Sequence, residues 1–328
     1  MDERAGTSGT TVAVVYNPVR VDVRRVRAAV EARAAAEGDI ELLWFETTPE
    51  DGGQGQTRQA LERGASLVLA AGGDGTVRAV AEALRGQDAT LGLLPGGTGN
   101  LLARNIGVPY TSLEEAVAVA LGGVTRRIDL GVATTARPDG SSGEHAFLVM
   151  AGVGFDARLI ETARPELKRR LGWLAYVESA FRSWPRSRKV GVAFRIDEEP
   201  ERTAHVSTIL FANCGTLPGN MELIPDSEVD DGLLDIAILQ PATVFGWLAI
   251  WRKVTWENRV LRKSALGRRI IRFTDRAART RLSYLRGAAV AVRLDEPEPF
   301  ELDGDGFGEV VGLGLTVDPQ GLRVRVPR

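Results

Sequence analysis

The sequence predicts two domains of different texture, an open α/β layer followed by a β-rich half, and two observations carry that reading. Up to about residue 130, short apolar runs alternate with helical patterns, whereas beyond it strand-like runs follow one another with far less helix between them. The length suffices for both, since 328 residues with 44% hydrophobic content can bury a core or two.

In the first half the apolar runs are 12–16 (VAVVY), 40–45 (IELLWF), 67–71 (LVLAA) and 91–94 (LGLL), of the sort buried in parallel sheets. A helix is expected over about 20–37, where Val23, Val26, Val30 and Ala34 recur at three- and four-residue spacing, and further helices over about 55–64 and 75–85. In the second half strands are expected at 145–151, 190–196, 204–212, 233–239, 288–294 and 313–317, interrupted by helical patterns at about 166–184 and 241–263. The polar stretch "ATTARPDGSSGEH" (133–145) reads as a surface hairpin or loop.

Composition excludes several function classes. The formal net charge of -2 creates no global demand for nucleic acid or another polyanion. A single cysteine, Cys214, rules out an internal disulfide or a multi-thiolate metal site, and two histidines, His145 and His205, leave little for an imidazole–zinc cluster. Cys214 reads as a buried structural residue and His205 as a core or cleft residue rather than a base. The start lacks the basic region of a signal peptide, and no uncharged apolar stretch reaches the roughly 18 residues of a membrane span. The expectation is a cytoplasmic chain that meets a membrane, if at all, at its inner surface.

Two glycine-rich stretches carry the chemistry. "AAGGDGTVRAVAEAL" (70–84) runs from strand through Gly72, Gly73 and Gly75 into a helix, placing backbone N–H groups and a helix N-terminus at the carboxyl end of a parallel strand. Anionic phosphate oxygens are favoured there. The stretch matches neither the G-x-G-x-x-G dinucleotide fingerprint nor the Walker loop. "LGLLPGGTGNLLARNIGVP" (91–109) repeats the strand–glycine–helix course, with Gly97, Thr98 and Asn100 near the helix start, and two such loops on neighbouring strands can close on one polyphosphate. Asp74 stands out, because a carboxylate beside a phosphate repels it unless it binds Mg²⁺, caps the following helix, or meets a ribose or ring donor.

Their combination resembles the catalytic domain of the diacylglycerol kinase family, with its bacterial lipid-kinase and sphingosine-kinase relatives. The resemblance runs through "VVYNP" (14–18), GGDGTV, PGGTGNLLAR, "AGVGFDA" (151–157), "LIPDSEVDDGLLDI" (223–236) and "ELDGDG" (301–306). It implies an α/β nucleotide domain with a Rossmann-like parallel sheet over 1–130, completed by a closing strand at about 318–328. A β-sandwich-like acceptor domain over 131–317 follows, with a cleft between the two. It implies an ATP-dependent lipid kinase, with ATP and Mg²⁺ as cofactors. Asn17, Thr47 or Thr48, Gly72, Gly73, Asp74, Gly75, Thr76, Gly97, Thr98 and Asn100 would hold the nucleotide. Glu228, Asp231 and Leu233 would hold a Mg²⁺ through one carboxylate and backbone carbonyls, although a D-G turn feeding a hairpin strand explains that segment equally. Asp303 would act as base, with Asp305 where relatives carry a supporting glutamate; a second departure is Leu101–Leu102, where many relatives read Asp-Phe.

Charge is polarised along the chain. Residues 164–189 carry about +6 and 251–286 about +10, so the remainder carries about -18. Both basic segments hold tryptophans, among them Trp173, Trp184, Trp251 and Trp256, a pattern that suits contact with anionic lipid headgroups and equally suits packing within the fold. The acceptor is expected to be a lipid, nucleic acid is not expected as a partner, and strand edges in the β-rich half would permit a homodimer.

Overall fold

The computed structural model describes residues 10–154, 189–217, 221–222, 224, 227–240 and 282–328. The helical patterns expected at 166–184 and 241–263 lie outside the described residues, as do the basic segments 164–189 and 251–286 apart from Lys189 and residues 282–286. The chain divides into two units, Met1–Ile128 with Gln320–Arg328, and Asp129–Pro319.

The first unit contains β1 (Thr10–Tyr16), α1 (Val23–Glu37), β2 (Ile40–Glu46), α2 (Gln54–Glu62), β3 (Leu67–Gly72), α3 (Asp74–Leu84), β4 (Thr90–Pro95), α4 (Leu101–Asn105) and α5 (Leu113–Gly122). Its strands are parallel in the order β2-β1-β3-β4. The first helix starts three residues later than its hydrophobic pattern suggested. The Asn17 carbonyl takes the N–H groups of Arg20 and Val21 into a turn, and the Asp22 side chain then caps α1 by accepting the Arg25 N–H. On one face of the sheet, Val26 and Val30 of α1 and Ala116, Val117 and Ala120 of α5 share a core with Val14 and Leu69. Toward the other face Val15 meets α3, since a Cβ built on Gly53 would touch both Val15 and Val80 at 3.3–3.4 Å. Connections leave β1 toward β2 on one side while β3 lies on the other, so the carboxyl ends of β1 and β3 flank the switch point where α/β sheets take ligands.

The second unit is built from β5 (Val124–Ala136), β6 (Ser142–Phe147), β7 (Met150–Val153), β8 (Val190–Ile196), β9 (Arg202–Val206), β10 (Thr208–Ala212), β11 (Thr216–Leu217), β12 (Met221–Glu222), β13 (Leu234–Leu239), β14 (Leu282–Gly287), β15 (Ala289–Leu302) and β16 (Asp305–Val326). An antiparallel row runs β14-β13-β10-β7-β15. The first half of β15 pairs with β8 and its last residues with β7, so one strand serves two layers of a β-sandwich-like fold. The changeover falls in the segment Asp295–Pro299, where the register shifts and where Pro297 and Pro299 have no N–H to donate. Phe147, Phe211, Phe300, Leu302 and Leu315 fill the core beneath. The end of β16 belongs to the first unit, where Val324 lies parallel to Leu91 of β4.

Three expected strands take a different form. The run 145–151 is broken between Phe147 and Met150, because the N–H groups of Leu148, Val149 and Met150 turn to a carboxylate described below. The run 204–212 divides at Ser207, and 288–294 continues to Leu302. The stretch 133–145 forms a hairpin between β5 and β6, its turn closed by Asp139 accepting the Ser141 N–H. His205 is exposed on β9 rather than buried, since it alternates with the buried Val206. Cys214 is buried, its thiol donating to the Leu148 carbonyl at 3.4 Å.

Candidate functional site

The two glycine loops lie side by side at the carboxyl ends of β3 and β4. The Gly96 N–H donates to the Gly72 carbonyl at 2.8 Å, extending the strand pairing into the loops. Beyond it the backbones touch: a Cβ on Gly97 would stand 2.8 Å from the Gly73 Cα, a contact no side chain survives. Gly72 is closed to substitution from below, where its Cβ would meet the Thr76 hydroxyl at 2.6 Å. Gly97 is therefore required by close approach of main chain to main chain, and Gly72 by the Thr76 side chain packed against it.

Asp74 resolves into an unforeseen role. It is the first residue of α3, whose N-cap, Gly73, offers no side-chain acceptor. Its carboxylate reaches across to the second loop, where Oδ2 accepts the Asn100 N–H at 3.0 Å and Oδ1 the Leu101 N–H at 2.6 Å. Asp74 thus caps α4, the helix of the second loop. Asn100 sits in the left-handed region (φ 47°) with its side chain turned onto Gly97, accepting that N–H at 3.0 Å and donating to that carbonyl at 2.9 Å. The consequence is unequal loops. In the second, amide groups are spent on Asp74 and Asn100; in the first, the N-cap of α3 is Gly73, which has no side chain to offer the first-turn N–H groups, an arrangement that suits an anion.

The other residues read as nucleotide ligands ring the same sheet end. The Asn17 N–H donates to the Ala71 carbonyl at 2.9 Å, setting residue 17 beside the end of β3. The Thr47 N–H donates to the Tyr16 carbonyl at 2.9 Å, and Thr47 is buried while Thr48 and Thr98 are exposed. Asp51, which the sequence reading passed over, organises the segment after β2. Its carboxylate accepts the N–H groups of Gly53 and Gly55 at 3.0 Å each, and Gly53 adopts φ 141°, open only to glycine.

In the second unit the turn between β15 and β16 carries three carboxyls. Asp303 is 6% exposed and left-handed (φ 50°). Its carboxylate accepts the N–H groups of Leu148 (2.9 Å), Val149 (2.8 Å) and Met150 (3.0 Å), and its own N–H donates to the Met150 carbonyl at 2.8 Å. Asp305 is exposed, one residue past the Gly304 bend. Glu301, two residues before Asp303, has a carboxyl pushed up to about 7, first by burial and second by the charge of Asp305. Sequence reasoning missed it, because nothing in "ELDGDG" distinguishes a buried glutamate from a solvated one.

Residues 228–233 form the D-G turn that the sequence offered as one reading. Gly232 (φ 75°) donates its N–H to Asp129 at 2.6 Å, and Asp231 accepts the Leu233 N–H at 3.1 Å. Arg286 stands 3.5 Å from the other Asp231 oxygen, and Glu228 is exposed. Burial raises the Asp231 carboxyl above its usual range. A guanidinium already supplies the positive charge here, and among the described residues no three acidic, histidine or cysteine side chains converge. Asp231 and the backbone carbonyls of Glu228 and Leu233 are the oxygens that would hold a structural Mg²⁺ at this turn.

The architecture is a parallel α/β unit with adjoining glycine loops at the carboxyl ends of β3 and β4, followed by a β-sandwich-like unit. Residues 11–133 match the family model described as the diacylglycerol kinase catalytic domain, and residues 149–326 match that described as the YegS C-terminal NAD kinase beta sandwich-like domain. The chain belongs to this diacylglycerol kinase catalytic-domain family. It is 39% identical over 223 residues to a Pseudomonas fluorescens protein named "Probable lipid kinase YegS-like", covering 65% of this chain and 68% of that one. It is 28% identical over 240 residues to a Bacillus subtilis diacylglycerol kinase, covering 72% and 76%. A crystal structure of a diacylglycerol kinase from Bacillus anthracis shares the fold, with a TM-score of 0.71 and 20% identity over 98% of both chains.

Proposed function

We propose that the protein transfers the γ-phosphate of ATP to the hydroxyl of a lipid such as diacylglycerol. The observation that carries this reading is the glycine N-cap of α3 at the carboxyl end of β3, beside a second glycine loop held in shape by Asp74 and Asn100. The first-turn N–H groups of α3 would bind phosphate oxygens of MgATP. Asn17, Thr47, Thr48, Gly72, Gly73, Gly75, Thr76, Gly97 and Thr98 would line the nucleotide, while Asp74 and Asn100 hold the loops in shape. The magnesium ion that accompanies ATP neutralises charge on the phosphates. Asp303, with Asp305 in support, would take the acceptor's proton as the acceptor oxygen bonds to the γ-phosphorus, and ADP leaves with the electrons of the broken bond. The lipid class is supported by the names of the relatives, and a bilayer acceptor suits the two basic, tryptophan-bearing segments.

The test is transfer of radiolabel from ATP into a mixed lipid extract, with NAD offered in parallel. Label in a lipid phosphomonoester is the expected outcome. Label in NAD alone would point to a soluble-acceptor kinase of the NAD kinase type, and ATP binding without transfer to a non-catalytic nucleotide-binding regulator; either result overturns the proposal.

A further inference from the structure

Among the described residues three large apolar side chains stand exposed, Val19 (89%), Val124 (45%) and Tyr110 (40%). Singly such residues need no explanation, but Val19 and Tyr110 share one rim of the first unit. Val19 is held out in water by a fixed turn. The Asn17 side chain accepts the Val19 N–H at 3.0 Å, and the Asn17 carbonyl accepts those of Arg20 and Val21 at 3.0 and 3.2 Å. Val21 anchors the turn to the second glycine loop, since a Cβ built on Gly96 would collide with its Cγ1.

Tyr110 is tied to the same loop. The Arg104 guanidinium carbon lies 3.9 Å from the centre of its ring, while Arg104 Nε donates to the Gly99 carbonyl at 2.6 Å. The turn leads into α1 and Tyr110 into α5, and an ion pair between Arg25 and Glu114 at 2.9 Å joins the first turns of those two helices. Both apolar tips therefore stand at the carboxyl end of the parallel sheet, around the glycine loops.

The charge beside the Val19 turn leans positive. Arg20 is exposed next to Val19, and Arg24 and Arg25 occupy the first turn of α1, where the helix dipole favours acids and this helix has none. Asp22 caps α1, Glu114 pairs with Arg25, and Glu115 is the remaining acid of these segments. Arg20 and Arg24 have no acidic partner among the described residues. An exposed valine and tyrosine beside such arginines match the boundary of an anionic bilayer, where apolar tips enter and guanidiniums stay with lipid phosphates.

We infer that the Asn17–Val21 turn and Tyr110 rest on the surface of an anionic bilayer, with Val19 inserted among the headgroups and Arg20 and Arg24 on lipid phosphates. The inference rests on the lipid-acceptor reading above. Such a contact brings the phosphate-binding loops to the level of the headgroups, where an acceptor hydroxyl lies.

The experiment follows the full chain on vesicles in the absence of ATP. Val19→Cys labelled with nitrobenzoxadiazole reports on the tip, because the native Cys214 is buried. Its emission is expected to shift to the blue on phosphatidylglycerol vesicles and to stay unchanged on phosphatidylcholine. In co-sedimentation with phosphatidylglycerol, Val19→Asp and Arg20→Glu should each weaken binding by roughly tenfold. Val124→Asp, beyond the far end of α5, should change nothing. Wild-type ATP affinity in all three variants shows that they are folded. Emission that stays as in water on phosphatidylglycerol, an equal shift on phosphatidylcholine, or equal losses in Val124→Asp and Val19→Asp overturns the inference. So does a blue shift that grows with protein concentration alone, which would seat a second copy on the tip. Transfer from ATP to diacylglycerol in detergent micelles, found without any vesicle contact, strikes the membrane face and leaves the kinase reading standing. A wild-type protein that phosphorylates lipid in neither form overturns both.

Discussion

The two carboxyls at 301 and 303 oppose each other in their effect on stability. Glu301 has a folded pKa of about 7, raised above its unfolded value. Its neutral form is favoured by the fold, so its burden on stability is absent below the unfolded pKa, grows through the interval up to pH 7 and is complete above it. At about 1.4 kcal/mol per pKa unit the full burden is on the order of 3 kcal/mol. Glu301→Gln should therefore melt higher than wild type at pH 8 and no higher at pH 4; equal Tm values at pH 8 would show that the carboxyl is not held as described. Asp303→Ala should cost about 3 kcal/mol or more, because three main-chain N–H groups, two of them buried, lose their acceptor and alanine must enter the left-handed region. Urea melts check this, and a loss below about 1 kcal/mol would show that these hydrogen bonds do not hold the turn. The motif around Asp303 was legible in the sequence, but its partners, roughly 150 residues earlier in the chain, were not. Neither was Glu301, since burial of one strand position depends on which residues the neighbouring strands bring opposite it.

Among the elements, the glycine loops carry the sharpest expectation. Gly97→Ala would drive a methyl into the Gly73 main chain, and with no flexible side chain to yield, the loops must part. ATP affinity measured by calorimetry should fall by about tenfold or more, the equivalent of roughly 1.4 kcal/mol, while Gly107→Ala, strained by its φ of 74° but with nothing within 4 Å of its Cβ, should leave affinity unchanged. Unaltered affinity in Gly97→Ala would show that the close approach does not shape the nucleotide site. The first-half strands and the α3 start were readable because buried parallel strands write themselves as apolar runs bounded by glycine. For Asp74 the sequence offers a contact to Mg²⁺, to a ribose or ring donor, or a cap on the helix that follows it; a carboxylate capping the next loop's helix, 26 residues on, leaves no local pattern. The break at 148–149 was hidden for the same reason, its cause lying at residue 303.

On the scale of the whole molecule, the two textures of the sequence correspond to an α/β unit and a β-sandwich-like unit, with the last nine residues, Gln320–Arg328, assigned to the first. That return came from family resemblance and not from periodicity, because the final residues "LRVRVP" alternate like any half-exposed strand. Nothing in the pattern of a strand names its neighbour. Among the described residues no helix is long and apolar enough to cross a membrane. The most direct measurement follows ³¹P NMR signals of the full chain with MgATP and diacylglycerol in phosphatidylglycerol vesicles. The account predicts a growing lipid phosphomonoester resonance matched one for one by ADP; ATP that persists, or that yields only inorganic phosphate, would contradict it.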